Sequence, residues 1–236
     1  MICKLADFFI EIHVQYPSTE HFCGAYVCAD AEKVDFSVTV SAADIAAEMA
    51  ADPAEKKHTP EQYEPLALYR KICAELLGRG AFLMHCAVIG YEGCGYAFAA
   101  KSGTGKTTHI RLWQACFGRE KVTIVNGDKP ILRVIGDAVY AYGTPWCGKE
   151  GYNANTRVPL RGLCFLERDA ENGISRISDA EAMPRILSQV MVTDSADLMR
   201  QMELLDALVT HVPLYKLGCN MDIEAARVAY EGMRKG

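Results

Sequence analysis

Alternation of apolar and polar residues with a period of two marks the start of the chain and predicts β-strands there. The segments DFFIEIHVQY, FCGAYVCAD and KVDFSVTVS are rich in Phe, Val, Tyr and Ile, and the alternation over residues 7–40 predicts three antiparallel strands. The next segment, SAADIAAEMA, predicts a short helix with Ser41 as its N-cap. A second helix is predicted from EPLALYRKICAELLGRG, whose apolar residues recur at helical spacing and which ends at Gly78 or Gly80.

Strands are predicted again from residue 81 onward. AFLMHCAVIG and GYAFAA predict the two strands of a hairpin, and three short strands follow in KVTIVNGDKPILRVIGDAVYAYGTPW. One more strand lies in YNANTRVPLRGLCFLERD, after which helices dominate, apart from a strand in VPLYKLGC. Because no repeat or linker divides residues 1–236, we predict one α/β domain with a mixed, largely antiparallel sheet. It comprises N-terminal strands and helices (1–80), a core (81–170) and a helical C-terminal part (171–236).

The composition is that of a soluble globular protein. Of the 236 residues, 50% are hydrophobic and 23% are charged, and the formal net charge of −5 comes without any basic run. We therefore expect neither nucleic acid nor a membrane surface as a partner. The ten cysteines are scattered without a C-x-x-C pair, and the N-terminus does not resemble a signal peptide. These features predict reduced thiols and a cytoplasmic location.

The stretch AAKSGTGKTTHIRLW predicts a phosphate-binding loop that runs into a helix. It matches the pattern G-x-x-x-x-G-K-[ST], with Ala100 at the first position. Gly103 and Gly105 let backbone amides turn inward around an anion, Lys106 supplies a positive charge, and Thr107 can hold Mg²⁺. The residues expected to contact ATP, or another nucleoside triphosphate, are Ser102, Gly103, Thr104, Gly105, Lys106, Thr107 and Thr108. The alternative is a glycine-rich turn in which the lysine is accidental.

The order of elements around this loop differs from that of common nucleotide hydrolases. In those folds the loop belongs to a parallel βαβ unit, whereas here a hairpin feeds it and strands follow without helical crossovers. The segment VTIVNGDKPIL predicts a strand that ends at Gly127-Asp128, where a metal-binding or catalytic aspartate would lie.

The hairpin-fed loop with LMHCAVI, VTIVNGDKPIL and GTPWCGKEGYNANTRVPLRGLCFL resembles the HPr kinase and phosphoenolpyruvate carboxykinase superfamily, in its short HPr-kinase-like branch. The resemblance covers roughly residues 80–170 and implies an HPr-kinase/carboxykinase-like P-loop core. It implies that Asp128 accepts the proton of the attacking hydroxyl and lies near Mg²⁺ with Thr107. It also implies that His85 tunes this acid and that Arg157 steadies the migrating phosphoryl group.

Several of these residues have simpler interpretations that the sequence leaves open. His85 could be a hydrogen-bonded core residue, Arg157 could be ion-paired at the surface, and Lys149 and Glu150 could form a salt bridge. HPr kinases usually have two adjacent aspartates where this chain has Asp128-Lys129. Lys129 could pair with the neighbouring acid, replace part of the metal's charge or face solvent.

The leading functional hypothesis is an ATP- and Mg²⁺-dependent kinase-like enzyme that phosphorylates a hydroxyl group. The acceptor is a serine of a protein or peptide, or a small molecule. The alternatives are a non-catalytic nucleotide-binding module, acting as a sensor or assembly partner, and a simple nucleotide hydrolase. Whether the chain forms a homo-oligomer stays open.

Overall fold

Two β-sheets and their flanking helices form the chain within residues 1–52, 58–191 and 195–235, which this computed structural model describes. The smaller sheet has the order β1-β2-β3 and comprises strands Ile2–Leu5 (β1), Phe8–His13 (β2) and Phe36–Thr39 (β3). The helices of this region are Pro17–Cys23 (α1), Ala42–Ala51 (α2) and Pro60–Leu77 (α3). Ser41 caps α2 as predicted, because its hydroxyl oxygen accepts a hydrogen bond from the amide of Asp44.

The strand predicted in FCGAYVCAD is wrong, since this segment contains the end of α1 and a short 3-10 turn at Gly24–Tyr26. Thr19, Cys23 and Tyr26 are buried, and this spacing is that of a helix rather than of a strand. The antiparallel pairing predicted for this region is also wrong for β2 and β3. They pair in parallel because α1 lies in the connection that carries the chain back before β3 begins.

The larger sheet has nine strands within the described residues. Its order is β4-β8-β9-β10-β6-β5-β7, with β12 paired to β10 and β11 paired to β12. The strands are Ala81–Leu83 (β4), Cys86–Tyr91 (β5), Cys94–Ala99 (β6), Thr123–Asn126 (β7), Ile131–Ile135 (β8), Ala138–Tyr142 (β9), Arg157–Arg168 (β10), Gly173–Arg176 (β11) and Leu214–Cys219 (β12). Among the pairings described in this sheet, β10–β6 and β10–β12 are parallel and the others are antiparallel. The prediction of a mixed, largely antiparallel sheet is confirmed.

The segment AFLMHCAVIG, predicted as one strand, is broken at Met84 and His85. β4 pairs with β8, whereas β5 pairs with β6 and β7, so the two halves belong to different parts of the sheet. His85 therefore lies where the chain changes direction and not within a strand.

The remaining helices are Lys106–Phe117 (α4), Asp179–Leu187 (α5), Ser195–His211 (α6) and Glu224–Met233 (α7). As predicted, helices dominate the C-terminal part and a strand, β12, lies in VPLYKLGC, whereas β11 was not predicted. Residues 192–194 and 236 lie outside the described part of the chain. Trp113 of α4 is fully buried among Tyr91, Tyr96 and Phe98 and belongs to the core. None of the helices in the described part of the chain is both long and apolar enough to cross a membrane.

Candidate functional site

Strand polarity brings three separate segments to one edge of the larger sheet. β5 lies between β6 and β7 and runs antiparallel to both, so the beginning of β5 meets the ends of its neighbours. His85 immediately precedes β5, the 100–105 loop follows β6, and Asp128 lies just beyond the end of β7. These segments line a cavity of about 410 Å³, here named the loop-side cavity. Its principal lining residues are His85, Gly103, Gly105, Lys106, Thr107 and Asp128.

The 100–105 loop has the preceding strand and the following helix that its motif requires. Gly103 and Gly105 have φ angles of 78° and 124°, which other residues rarely adopt. A Cβ at either position would meet no atom within 4 Å, so the backbone conformation, and not crowding, requires glycine. The start of α4, the positive end of its dipole, borders the cavity through Thr107 and Thr108. Ser102 also lines it, whereas Thr104 faces two neighbouring cavities.

Lys106 is a largely buried cation, with 9% of its surface exposed. Its Nζ donates a hydrogen bond to the carbonyl oxygen of Ala100 at 3.0 Å and lies 3.1 Å from Nε2 of His85. Burial lowers the pKa of the Lys106 ammonium, and the negative charge of Asp128 opposes this effect. A cation with little water around it attracts an anion more strongly than a solvated one.

One ring nitrogen of His85 contacts both an ammonium and a carboxylate. Nε2 lies 3.1 Å from Nζ of Lys106 and 3.1 Å from Oδ1 of Asp128. A protonated Nε2 donates to Asp128, and an unprotonated Nε2 accepts from Lys106, but one nitrogen cannot do both. The position of this proton therefore couples Lys106 to Asp128.

The buried side chain of Asn126 fixes the backbone at Asp128. Its oxygen accepts hydrogen bonds from the amides of Asp128 at 2.8 Å and Lys129 at 2.7 Å, and its nitrogen donates to Thr144. Gly148 packs directly against Asp128, since a Cβ at position 148 would lie 3.3 Å from Cβ of Asp128. With φ at +76°, Gly148 also has a backbone conformation that favours glycine.

The Asp128 carboxylate is held from two sides. Its Oδ1 contacts His85, and its Oδ2 lies 3.3 Å from Nζ of Lys129. Burial acts to raise the pKa of Asp128, but the His85 hydrogen bond and the Lys129 charge outweigh it, so the pKa lies below its ordinary value. Of the three alternatives for Lys129, the structure shows pairing with the neighbouring acid.

Arg157 lies away from the loop-side cavity and is not among its lining residues. At the start of β10, its Nη1 donates to the carboxylate of Asp7 and, at 3.2 Å, to the hydroxyl of Tyr142. Asp7 belongs to the turn between β1 and β2. The structure therefore brings His85, Lys106 and Asp128 together and does not bring Arg157 to them.

Residues 147–150 and Tyr152 form a wall of the cavity that sequence patterns did not identify as part of the site. Glu150 pairs with Arg111 at 2.7 Å rather than with Lys149. Lys149 is exposed and has no ion-pair partner within the described ranges. The available signal was the Gly, Pro and Asn content of GTPWCGKEGYNAN, which predicts a loop but not what the loop approaches.

A metal ion at this site would take most of its coordination from phosphate oxygens and water and little of it from protein side chains. Across the residues described, no group of three or more His, Cys, Asp or Glu side chains is arranged to hold a metal. Thr107 and Asp128 line the same cavity, and Mg²⁺ commonly takes one or two protein ligands and completes its shell with phosphate oxygens and water. The two residues fit such a minimal site.

No protein-family model matches the chain, and no curated protein matches its sequence. Among solved structures, the HPr(Ser) kinase/phosphatase from Coxiella burnetii is similar over 65% of this chain and 88% of that chain. The sequence identity is 9% and the TM-score is 0.39. These values describe a distant likeness in fold and carry no information about the chemistry of the residues around Asp128.

Proposed function

We propose that the protein transfers the terminal phosphoryl group of a nucleoside triphosphate, ATP foremost, to a hydroxyl group. One observation carries the proposal: Lys106, His85 and Asp128 form a continuous series of 3.1 Å contacts beside a glycine-containing loop. A cation for the phosphates and a carboxylate for a proton thus share one cavity. Phosphoryl transfer requires mainly such positioning and charge stabilisation.

Three features would bind the phosphates. The backbone amides of the loop and the start of α4 supply hydrogen bonds and the positive end of a helix dipole. Lys106 supplies a compact charge, and a phosphate oxygen would compete with His85 and the Ala100 carbonyl for its three N–H donors. In this proposal Lys106 stabilises the transferred group, and Arg157, which is paired with Asp7, takes no part.

Thr107 and Asp128 would hold the magnesium ion that accompanies the nucleotide. The ion supplies neutralisation of phosphate charge when it is bound.

Asp128 would take the proton of the acceptor hydroxyl. The acceptor oxygen forms a bond to the terminal phosphorus, the bond from that phosphorus to the bridging oxygen breaks, and the nucleoside diphosphate leaves. His85 and Lys129 hold one carboxylate oxygen each, and the lone pair left on each oxygen serves the magnesium ion on one and the hydroxyl on the other. The lowered pKa of Asp128 keeps it ionised and ready to orient that hydroxyl at neutral pH.

A nucleotide-binding module without transfer activity is the second candidate, and Lys129 favours it. Its ammonium lies 3.3 Å from Oδ2 of Asp128 and lowers the affinity of the carboxylate for a proton, which weakens a base. Simple nucleotide hydrolysis, with water in place of the acceptor, is the third.

Incubation with γ-labelled ATP, Mg²⁺ and a panel of hydroxyl acceptors tests the proposal by comparing the wild type with Asp128→Asn. We expect transfer to fall about 10³-fold in the variant, since a general base contributes about this much, while calorimetry shows ATP still bound. Asp137→Asn, which changes an exposed carboxylate in the β8–β9 turn, is the matched control. Equal transfer by wild type and Asp128→Asn would remove Asp128 from its role, and binding without transfer to any acceptor would favour the passive module.

A further inference from the structure

A second cavity, of about 540 Å³, meets the loop-side cavity at Asp128. Cys147, Gly148 and Lys149 also line both. The remaining walls differ, because the second cavity is bounded by the end of α1 and the first turns of α3 instead of the glycine loop. We name it the α3-side cleft. Groups bound in the two cavities would come together at the Asp128 carboxylate.

The N-terminal region, which precedes the residues 80–170 that carry the resemblance, supplies the apolar wall of this cleft. Phe22 of α1 and Pro65 and Leu66 of α3 line it together with Trp146. The indole Nε1 of Trp146 donates to the carbonyl oxygen of Pro65 at 2.9 Å. Its ring packs edge-on against the ring of Phe22, with the two ring centroids 6.0 Å apart. These contacts attach the loop that carries Gly148 and Lys149 to α3, so the cleft has a defined shape. Phe22 keeps 37% of its surface exposed although it has these neighbours.

The charges around the cleft favour an anionic ligand. Lys129 lines it but already pairs with Asp128. Lys149 is exposed at its rim without an ion-pair partner among the residues described, and so it can bind a carboxylate. The carboxylate of Asp128 would repel a negative charge at its own position, which places the anionic group of a ligand towards Lys149 and a neutral hydroxyl at Asp128.

We propose that the α3-side cleft binds the phosphoryl acceptor, and that this acceptor is a small hydroxy acid with an apolar body. The apolar body contacts Phe22, Leu66 and Trp146, the carboxylate contacts Lys149, and the hydroxyl faces Asp128. The inference rests on the proposed phosphotransferase function. The hydroxyl oxygen gains the phosphoryl group, its proton goes to Asp128, and the nucleoside diphosphate leaves through the loop-side cavity.

The dimensions favour a small molecule over a protein surface. A volume of about 540 Å³ lies within the range of small-molecule sites, and apolar walls with a few polar groups are typical of such sites. A serine in a peptide would instead have neutral amides where the carboxylate should face Lys149.

The experiment uses matched pairs of compounds with the full-length protein, γ-labelled ATP and Mg²⁺. Small aliphatic and aromatic hydroxy acids, with 3-phenyllactate and lactate as one pair, are each compared with their amides and with a neutral seryl heptapeptide. Transfer is measured as labelled phosphate ester, and binding is measured in parallel by ligand-observed NMR. We expect the apolar hydroxy acids to exceed lactate and the amides by about tenfold in kcat/KM, as apolar and charged contacts each contribute at this scale.

Variants on both walls locate the effect. Phe22→Ala and Lys149→Gln should each reduce kcat/KM for the apolar hydroxy acid about tenfold, chiefly through KM. Ile135→Ala and Lys121→Gln are the matched controls, since they change an exposed apolar residue and an exposed lysine elsewhere. Lys149→Gln should leave kcat/KM for the amide unchanged, because the amide has no charge for the lysine to bind.

The outcomes distinguish failure of the acceptor inference from failure of the phosphotransferase function. If the seryl peptide is phosphorylated and the hydroxy acids are not, the acceptor is a protein and the inference fails. It also fails if ATP binds but no hydroxy acid binds or receives phosphate, or if Phe22→Ala and Lys149→Gln match their controls. If ATP does not bind the wild type at all, the phosphotransferase function itself fails.

Discussion

The two cavities that meet at Asp128 are built from different parts of the polypeptide. The loop-side cavity is shaped by backbone, through two glycines with positive φ and the first turn of α4, with Lys106 as its one buried cation within the described residues. The α3-side cleft is shaped by the side chains of Phe22, Leu66, Trp146 and Lys149. Backbone amides recognise phosphate charge whatever molecule carries it, whereas side-chain walls distinguish one molecule from another. The contrast suits a common phosphoryl donor on one side and a selected acceptor on the other.

Removing the charge from the loop side gives the largest expected effect on this contrast. Lys106→Met should weaken ATP binding about 100-fold, because charged hydrogen bonds contribute about 1.5–3 kcal/mol each. Binding of a hydroxy acid in the α3-side cleft should persist. Calorimetry with each ligand measures both. Lys101→Met is the control, as this lysine is exposed in the same loop, and an equal loss from both variants would contradict the role of Lys106.

A histidine is buried in α4, which begins at the loop-side cavity, and this makes the stability of the fold sensitive to acid. Burial lowers the pKa of His109 from 6.5 to about 3, and its Nε2 accepts a hydrogen bond from the indole of Trp113. The unfolded chain therefore takes up a proton below pH 6.5 that the folded chain excludes. The free energy of unfolding should fall by about 1.4 kcal/mol per pH unit between these values from this group alone.

Urea unfolding between pH 7 and pH 5 measures that slope, and NMR titration of the His109 ring should show no protonation down to pH 5. His109→Phe should reduce the slope by one proton. A His109 ring that protonates near pH 6.5 in the folded protein would contradict the prediction.

A change at the shared wall should disturb both cavities at once. Gly148→Ala places a Cβ against Asp128 and requires a φ of +76°, so we expect it to cost about 1–2 kcal/mol of stability. Thermal unfolding and the transfer assay should both register the change. Gly24→Ala is the control, because Gly24 has an ordinary φ of −50° and a Cβ there meets no atom within 4 Å. Equal behaviour of the two variants would show that Gly148 does not constrain Asp128.

The smallest expected effect concerns the acidity of the shared carboxylate. Lys129→Met removes a charge that lowers the pKa of Asp128, so this pKa should rise. The acidic limb of the pH–rate profile should then move to higher pH. The stability contributed by ionised Asp128, which is lost as pH falls through its folded pKa, should become smaller at neutral pH. Lys71→Met, which removes an ion pair with Asp44 far along the chain, should leave the profile unchanged.

The loop side could be predicted from sequence because its determinants are local. The glycine spacing, the strand before the loop and the helix after it all lie within residues 94–117. The hairpin of β5 and β6 further places His85 near the loop, because the start of one strand meets the end of the other. The position of Asp128 required knowing that β7 pairs with β5, which no local pattern specifies.

The α3-side cleft could not be predicted, because its residues are far apart in the chain. Phe22 was assigned to a strand, since FCGAYVCAD alternates over too few residues to distinguish a strand from one helical turn. Trp146 and Leu66 meet only through tertiary packing of α3 on the 145–153 loop. Arg157 shows the same limit from the other direction, because sequence cannot tell that Asp7 lies close enough to pair with it.

Strand β10 connects these distant parts mechanically. Its first residue, Arg157, donates to the carboxylate of Asp7 in the turn between β1 and β2, and its last residue, Arg168, donates to the carbonyl oxygen of Gly103 at 2.7 Å. Twelve residues of strand span about 40 Å, so β10 links the β1–β2 turn to the 100–105 loop through an arginine hydrogen bond at each of its ends. An Arg157 substitution should therefore remove the contact with Asp7 without displacing His85, Lys106 or Asp128. The melting temperature should fall, while the pH profile of any transfer keeps its shape.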